Sequence, residues 1–240
     1  MSQIIASETF EIGLLISEAH DCSYIAAETA RMLFVDPDTV IDVPLYSQLS
    51  RMGFRRNGNF LYTPRCVGCA LCLASRVDVQ RFKRNRSQRR CWTKNADVVI
   101  DQLASIDMAE HYEVYSAYIA QRHSDGDMYP PSMKQFEDYL GRPWECTSYL
   151  EMRLADQLIG CAVIDSIDHG LSATYTYFHP DFADRGLGTL AVLFQIELIR
   201  KLGLDYLYLG YWIELCEKMS YKRNFQPLEV FRDNCWRELK

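Results

Sequence analysis

Residues 62–94 read YTPRCVGCALCLASRVDVQRFKRNRSQRRCWTK, and this stretch decides how the rest of the sequence is interpreted. Three cysteines at two-residue gaps come first, and a dense run of Arg and Lys follows. Residues 51–94 hold 12 Lys and Arg against a single acid, Asp78, which gives a local net charge of +11. Because the whole chain carries −6, the remainder sums to −17. This asymmetry indicates one surface that faces a polyanion on an otherwise acidic protein.

The size and composition are those of an ordinary globular protein. The chain has 240 residues, 48% hydrophobic and 24% charged, enough for one large domain or two small ones. No apolar run approaches the ~20 residues that span a bilayer, so no membrane partner is expected. Residues 1–15 contain Glu8 and Glu11 and lack a basic start, which is unlike a secretory signal and predicts a cytoplasmic protein. Nine cysteines, an odd count, favour reduced thiols or a metal site over a disulfide framework.

The first half of the chain contains signals for both strands and helices. Asn57-Gly58 between strand-like residues is typical of a two-residue hairpin turn, and Asp36-Pro37-Asp38 is typical of a helix end. The predicted elements are a strand over 10–16, a helix over 25–34, a helix over 44–52, a hairpin over 54–62 and a helix through the basic run to about Thr93.

The second half changes from a helical period to a period of two. Residues 95–105 read as a boundary, which predicts two domains, 1–104 and 105–240. The predicted elements are helices over 107–122 and 132–140, strands over 149–154, 158–164 and 171–178, a helix over 187–198 and a strand over 206–212. This order alone predicts an α+β or mixed α/β fold with a largely antiparallel sheet.

Several motifs together resemble one family. The three-cysteine run, Arg76-Val77 and SQRR at 87–90 are similar to the N-terminal region of the aminoacyl-tRNA–protein transferases. The resemblance continues through SATYTY at 172–177, LGT at 187–189, YLYLGYW at 206–212 and KMSYK at 218–222. It spans about residues 21–227, and the compact length resembles the bacterial leucyl-transferring form more than the eukaryotic arginyltransferases.

The resemblance implies a fold and an activity. The implied fold class is α+β, with an N-terminal Cys-rich domain followed by a Gcn5-related N-acyltransferase-like (GNAT) domain. The implied reaction moves leucine from leucyl-tRNA to the α-amine of proteins that begin with Asp or Glu, which creates an N-degron for proteolysis. No cofactor is required for that transfer. Arginyl transfer by the same machinery is the close alternative, and a non-catalytic zinc-containing nucleic-acid-binding module is the alternative from another class.

The resemblance and the charges together nominate functional residues. The motifs at 172–177 and 218–222 imply a catalytic set of Tyr175, Tyr177, Lys218, Tyr221 and Lys222. Cations in and beyond the basic run predict tRNA contacts from Arg81, Lys83, Arg84, Arg86 and Arg223. A bidentate Arg suits the acidic side chain of the acceptor, and the candidates are Arg76, Arg89 and Arg90.

Thiols at this spacing are also typical metal ligands. Cys66, Cys69 and Cys72 supply three soft donors, and Cys22 is the predicted fourth because it lies in a predicted turn near a position where the eukaryotic relatives place cysteines. Sulfur-only ligation suits zinc or an iron–sulfur cluster, and the eukaryotic relatives are reported to hold such a cluster. Free, partly buried thiols are the alternative.

Overall fold

The computed structural model describes residues 3–7, 10–126, 128–141 and 143–239. Backbone contacts divide the chain into two compact units, Met1–Arg76 with Leu209–Lys240, and Val77–Tyr208. The chain passes between the units inside the strands Leu73–Asp78 and Tyr206–Trp212. The fold is therefore α+β, as predicted. The domain boundary predicted near residue 104 differs from this division and stays a prediction about independent folding.

The first unit contains a five-stranded antiparallel sheet in the order β1-β2-β5-β7-β6. The strands of the first unit as a whole are β1 Gln3–Ser7, β2 Phe10–Ile16, β3 His20–Asp21, β4 Thr29–Ala30, β5 Met32–Val35, β6 Arg55–Asn57, β7 Phe60–Pro64, β14 Leu228–Arg232 and β15 Cys235–Glu238, together with parts of β8 Leu73–Asp78 and β13 Tyr206–Trp212. Its helices are α1 Val43–Arg51, α6 Glu217–Ser220 and a 3-10 turn at Tyr221–Asn224.

Local sequence explains much of this unit. The side chain of Asp42 accepts a hydrogen bond from the backbone N–H of Leu45 and so caps α1. Gly58 has φ +57, which the predicted hairpin turn between β6 and β7 requires. The strand over 10–16, the helix over 44–52 and the hairpin over 54–62 are confirmed.

The helix predicted over residues 25–34 is wrong. Residues there form turns and the strands β4 and β5, and Ala27 has φ 65, which an α-helix excludes. The strand β5 pairs with β2 on one side and β7 on the other, and its residues Leu33 and Val35 are buried in alternation. Pairing on both edges therefore outweighs the local helical pattern.

The second unit is built on a sheet in which β9, β10, β11 and β12 are antiparallel neighbours and β12 pairs in parallel with the start of β13. Its strands are β9 Val98–Leu103, β10 Thr147–Leu154, β11 Gln157–Ile167 and β12 Gly170–Phe178. Its helices are α2 Arg86–Lys94, α3 Met108–Arg122, α4 Met133–Phe136 continued as a π-helix over Glu137–Gly141, a 3-10 helix at Pro180–Arg185, and α5 Leu187–Leu202.

The core of the second unit joins α3 to the sheet. Val114, Tyr115 and Ile119 of α3 pack on Tyr149 and Tyr177 of the strands. The predicted helices and strands between residues 107 and 212 are all present, and α3 starts where Asp107 caps it.

Eight of the described strands escaped prediction, and they are β1, β3, β4, β5, β8, β9, β14 and β15. The basic run is helical only from Arg86, where Asn85 and Gln88 form a reciprocal capping box. In the described part of the chain, no helix combines the length and the apolar character that crossing a membrane requires.

Candidate functional site

A buried lysine marks the first unit. Lys222 lies in the 3-10 turn after α6, is 6% exposed, and donates from Nζ to the backbone carbonyl of Tyr211 in β13. Among the residues described, no carboxylate forms an ion pair with it. Burial, and then the nearby guanidinium of Arg55, lower the pKa of Lys222 to about 7. The thiol of Cys216 acts in the opposite direction. The side chain can therefore change its charge near neutral pH.

The other two predicted residues of this motif differ from Lys222. Lys218 is exposed, and Tyr221 is 44% exposed, its ring 5.9 Å from the Lys222 Nζ. The motif at 218–222 thus presents two side chains to solvent and buries the third.

The strand that receives the lysine is held firmly. The hydroxyl of Tyr211 lies 3.0 Å from the carbonyl oxygens of both Gly53 and Tyr62, to which it donates. Ser75 Oγ donates to the carbonyl of Gly210 at 2.9 Å. Burial raises the pKa of Tyr211, so its hydroxyl stays protonated. These hydrogen bonds hold Gly210 and Tyr211 of β13 against other residues of the first unit.

Arg55 is a residue that the sequence analysis missed. It is 6% exposed in β6, and its Nε and Nη2 lie 3.7 Å from the point where a Cβ on Gly210 would stand. The Lys222 Nζ lies 3.7 Å from the same point. The sequence did not reveal that Arg55 is buried. It is one of 12 Lys and Arg residues in the stretch 51–94, and the residues next to it give no sign of which of these cations are buried.

The cysteines do not form a metal centre in this structure. Cys22, Cys66 and Cys69 lie within electrostatic range of Cys72, and burial followed by these thiols raises the pKa of Cys72 to about 12. Cys66 Sγ donates to the carbonyl of Arg31 at 3.8 Å. Within the described ranges, no three Cys, His, Asp or Glu side chains are placed to hold a metal. The arrangement of these side chains therefore does not fit zinc or a cluster, and no chemical step is derived through one. The four-cysteine metal site stays a prediction.

The predicted tyrosines lie in the second unit. Tyr177 is fully buried, and its hydroxyl lies 2.7 Å from Nδ1 of His111 on α3. Nε2 of His111 lies 2.8 Å from Glu151 Oε2, and Arg153 Nε donates to Glu151 Oε1 at 2.5 Å. Arg153 also binds Glu110. One continuous polar chain therefore runs from Tyr177 through His111 to a carboxylate and a guanidinium.

The protonation of this chain follows from burial. Burial lowers the pKa of His111 and outweighs the opposing effect of Glu151. Burial would raise the pKa of Glu151, but hydrogen bonds from Arg153 and His111 lower it overall. His111 is thus neutral: its Nε2–H donates to Glu151, and its Nδ1 accepts from the hydroxyl of Tyr177. The helical spacing of His111, Tyr115 and Ile119 was a signal that could have placed His111 on the inner face of α3.

Tyr175 lies beside this chain without joining it. Its hydroxyl donates to Met128 Sδ at 3.5 Å, and its ring packs 6.5 Å from those of Tyr115 and Tyr118. Burial raises its pKa. Tyr175 and Tyr177 point to the same face of β12, and both contact α3.

The basic helix α2 and the residues just before it present cations of two kinds. Arg84 pairs with Glu197 and stacks over Trp92, and Lys94 pairs with Asp184. Across the described residues, Arg86 and Arg90 have no acidic partner. A shallow cavity of about 350 Å³ is lined by Arg86, Arg89, Arg90, Thr93 and Lys94. This open, cation-lined surface suits an anionic ligand.

The remaining predicted cations differ in their surroundings. Arg76 is 8% exposed, donates to Glu229 at 2.7 Å and stacks over Trp236 at 4.3 Å. Arg81 lies 3.8 Å from Asp78, and Lys83 is exposed. Arg223 lies 3.8 Å from Glu214. Arg89 donates to the carbonyl of Arg84.

Comparison with known proteins gives two family matches that together span most of the chain. Residues 20–90 match the model described as arginine-tRNA-protein transferase, N terminus, and residues 110–232 match arginine-tRNA-protein transferase, C terminus. The chain belongs to the arginine-tRNA-protein transferase family.

Relatives within this family agree in length as well as in sequence. The aspartate/glutamate leucyltransferase of Saccharophagus degradans is 47% identical over 227 residues, which cover 94% of this chain and 96% of the relative. That of Marinobacter nauticus is 47% identical over 220 residues, or 92% and 93%. The transferase resemblance expected from the sequence motifs is confirmed.

Solved structures are more distant. A structure titled as L-PGS from Bacillus licheniformis has a TM-score of 0.47 and 9% identity, and it covers 60% of this chain and 46% of its own. The C-terminal domain of a putative lysylphosphatidylglycerol synthetase from Agrobacterium fabrum has a TM-score of 0.42 and 15% identity, and it covers 76% and 58%. Similarity at this level supports no conclusion about the transferase.

Substitution of Lys222 tests the burial of its charge in the transferase. In the unfolded chain the lysine has a pKa of 10.5, whereas in the fold it has a pKa of about 7. The unfolded state therefore binds more protons between these values, and the penalty of burial is complete below pH 7. We expect Lys222→Met to raise the free energy of unfolding at pH 6 by about 2–5 kcal/mol. The gain should shrink as pH rises towards 10.

Chemical denaturation at several pH values measures this effect. Lys218→Met removes the same side chain from an exposed position and should change stability little at any pH. A Lys222→Met variant that is less stable than the wild type at pH 6, or whose difference does not vary with pH, would contradict the assignment.

Proposed function

We propose that this protein transfers leucine from leucyl-tRNA to the α-amine of proteins that begin with Asp or Glu. The observation that carries the proposal is the 47% identity, over 94% of the chain, to a relative named aspartate/glutamate leucyltransferase. The two family models, which match residues 20–90 and 110–232, support the same reading. The product would carry an N-terminal leucine that acts as an N-degron, and the reaction would take place in the cytoplasm.

The chemistry is substitution at an activated ester. The neutral α-amine attacks the carbonyl carbon of the aminoacyl ester, an amide bond forms, and the ester C–O bond breaks. The tRNA leaves with a free ribose hydroxyl, which takes up the proton that the amine loses. An α-amine with a pKa near ~8 is partly neutral at pH 7, so positioning of the two substrates supplies much of the acceleration. No cofactor enters this balance.

We assign the catalytic surroundings to the two sets of residues that the sequence nominated. Lys222, with Lys218 and Tyr221 beside it, would border the place where donor and acceptor meet. Tyr177, oriented by His111, and Tyr175 would support the second unit, which we propose has the GNAT fold. The support is positional: Tyr177 has its hydroxyl committed to His111, so it acts by fixing β12 and α3.

The tRNA is proposed to bind the basic helix. Arg86 and the neighbouring Lys83 have no acidic partner among the described side chains, and both are exposed, Arg86 on α2 and Lys83 in the segment before it. Phosphate contacts supply affinity without reading sequence. Arg81, Arg84 and Arg223 lie close to acids and would exchange those partners for phosphates.

The acceptor ligands predicted from sequence also stay proposals. Arg76 is already held by Glu229, so it would have to exchange that partner. Arg89 and Arg90 share the cavity of Arg86, where either a phosphate or a carboxylate can bind.

The donor decides between leucyl and arginyl transfer. The family description names arginine, whereas the relatives at 47% identity are named leucyltransferases. We expect Asp- and Glu-initiated peptides to gain leucine from leucyl-tRNA and to gain little arginine from arginyl-tRNA. Mass spectrometry of peptides incubated with each charged tRNA measures this. Arginine addition alone would favour the alternative, and no modification with any charged tRNA would favour a nucleic-acid-binding module.

The basic helix generates a separate prediction. We expect Arg86→Gln to weaken tRNA binding and to lower the slope of log K against log salt by about 1, with the acceptor KM unchanged. Lys201→Gln removes an exposed cation from α5, and it is the control that should leave both quantities unchanged. If Arg86→Gln keeps the wild-type salt slope, Arg86 does not contact a tRNA phosphate, and the assignment of α2 to the tRNA-binding surface is contradicted.

Arg90→Gln in the same series tests the remaining choice. A loss of tRNA affinity alone identifies a phosphate ligand. A raised KM for Asp-initiated peptide, with unchanged tRNA affinity, identifies a carboxylate ligand.

A further inference from the structure

One side of α2 carries hydrogen-bond donors and no acid. The cavity of about 350 Å³ on this helix is lined by Arg86 and by the residues three, four, seven and eight positions after it, which are Arg89, Arg90, Thr93 and Lys94. Residues at these spacings lie on the same side of a helix. All five are exposed. We call this surface the α2 cavity.

The other side of α2 attaches the helix to its own unit. Asn95 is 4% exposed, and its Nδ2 donates to the carbonyl oxygen of Arg185 at 2.9 Å. Cys91 Sγ donates to the carbonyl oxygen of Gly186 at 3.5 Å. Both acceptors lie in the turn that precedes α5, within the second unit. The side chains of the α2 cavity therefore extend from a backbone that is held in place.

The α2 cavity holds more positive charge than its neighbours compensate. Lys94 pairs with Asp184 at 2.8 Å. Arg89 donates to a backbone carbonyl oxygen, which is a neutral acceptor and leaves the charge of Arg89 in place. Within the described ranges, Arg86 and Arg90 form no ion pair. Three guanidinium groups therefore line one cavity, and like charges at these helical spacings repel one another.

We propose that the α2 cavity binds the 5′-terminal phosphate of the aminoacyl-tRNA, with Arg86 and Arg90 as its main ligands. The inference rests on the proposed transferase function and names the part of the donor that this surface recognises. In a tRNA, the 5′-terminal nucleotide is base-paired next to the 3′ strand that carries the amino acid. A protein that holds the 5′-phosphate therefore also orients the acceptor stem.

A terminal phosphate matches the α2 cavity better than an internal one. An internal phosphate is a diester with one negative charge and two free oxygens. A terminal phosphate is a monoester, which carries about −1.5 to −2 at pH 7 and has three free oxygens. The guanidinium groups and the hydroxyl of Thr93 offer donors to all three oxygens, and one guanidinium can bind two oxygens at once. The larger charge of the monoester also offsets more of the repulsion among the arginines.

A carboxylate of the acceptor protein fits the α2 cavity less well. It carries a single charge, and ion pairs between exposed side chains contribute little to affinity. Discrimination of an initial Asp from an initial Asn requires that the charged group be buried with its partners. The residues that line the α2 cavity are all exposed. A phosphate of a polyanion gains affinity at such a surface because bound counterions are released.

The test compares leucyl-tRNA that carries a 5′-phosphate with leucyl-tRNA that carries a 5′-hydroxyl, made by phosphatase treatment of the tRNA before charging. With the wild type at low salt, we expect the dissociation constant to be about tenfold larger for the 5′-hydroxyl form. In Arg90→Gln this ratio should fall to about threefold or less, because one ligand of the phosphate is gone. Lys201→Gln removes an exposed cation of α5, and this control should keep the wild-type ratio.

The outcomes distinguish a 5′-phosphate from other phosphates of the tRNA. If Arg90→Gln binds both forms more weakly but keeps the wild-type ratio, the α2 cavity holds internal phosphates and the proposal is overturned. A wild type that binds both forms equally well overturns it too. Circular dichroism checks folding. If Arg90→Gln does not fold, Arg86→Gln decides, since it should lower the same ratio.

Affinity and transfer are measured separately, so the failure of this inference differs from the failure of the proposed function. A wild type that shows the expected dependence on the 5′-phosphate but transfers no leucine contradicts the proposed function alone. A wild type that transfers leucine, with equal affinity for the two forms of leucyl-tRNA, contradicts the 5′-phosphate assignment alone. A wild type that binds neither form contradicts both.

Discussion

The burial of the Lys222 amine against the carbonyl of Tyr211 is the constraint on which the account of the first unit depends. It is satisfied by one backbone acceptor, and no carboxylate pairs with it among the described residues. The amine lies against the part of β13 that hydrogen bonds of Ser75 and Tyr211 hold in place, and Arg55 approaches Gly210 beside it. Burial of the Lys222 charge is unfavourable, which is the main reason why the pKa of its amine falls to about 7. A buried side chain with a pKa shifted towards neutral marks a candidate functional site.

The second unit solves a comparable problem in a different way. His111 and Tyr177 are fully buried, and every polar atom of the chain from Tyr177 to Glu151 has a partner. A network in which every donor and acceptor is paired makes the core rigid, and its N–H and O–H groups donate to one another and not to a ligand. The paired groups of the second unit suit a supporting role, whereas the buried amine of Lys222 in the first unit, with a pKa of about 7, can change its charge near neutral pH.

Local sequence was sufficient wherever a local interaction dominates. The hairpin turn at Asn57-Gly58 and the helix over 107–122 were both predicted from the sequence. Contacts distant in sequence were not. Pairing of β5 on both edges replaced a predicted helix, and the link between His111 and Glu151 joins residues 40 positions apart.

The basic stretch shows the same division between what was predictable and what was not. Its net charge correctly singled out an unusual segment, and Arg86 and Arg90 lie on an open surface. Arg55, Arg56 and Arg76 are instead buried, at 6%, 7% and 8% exposure. Burial depends on the whole fold, so composition alone could not assign these three.

The most direct measurement of the central claim is an NMR titration of the Lys222 side chain, with its resonance assigned by its absence in Lys222→Arg. The account predicts a midpoint near pH 7, and a midpoint near the unperturbed 10.5 would contradict it.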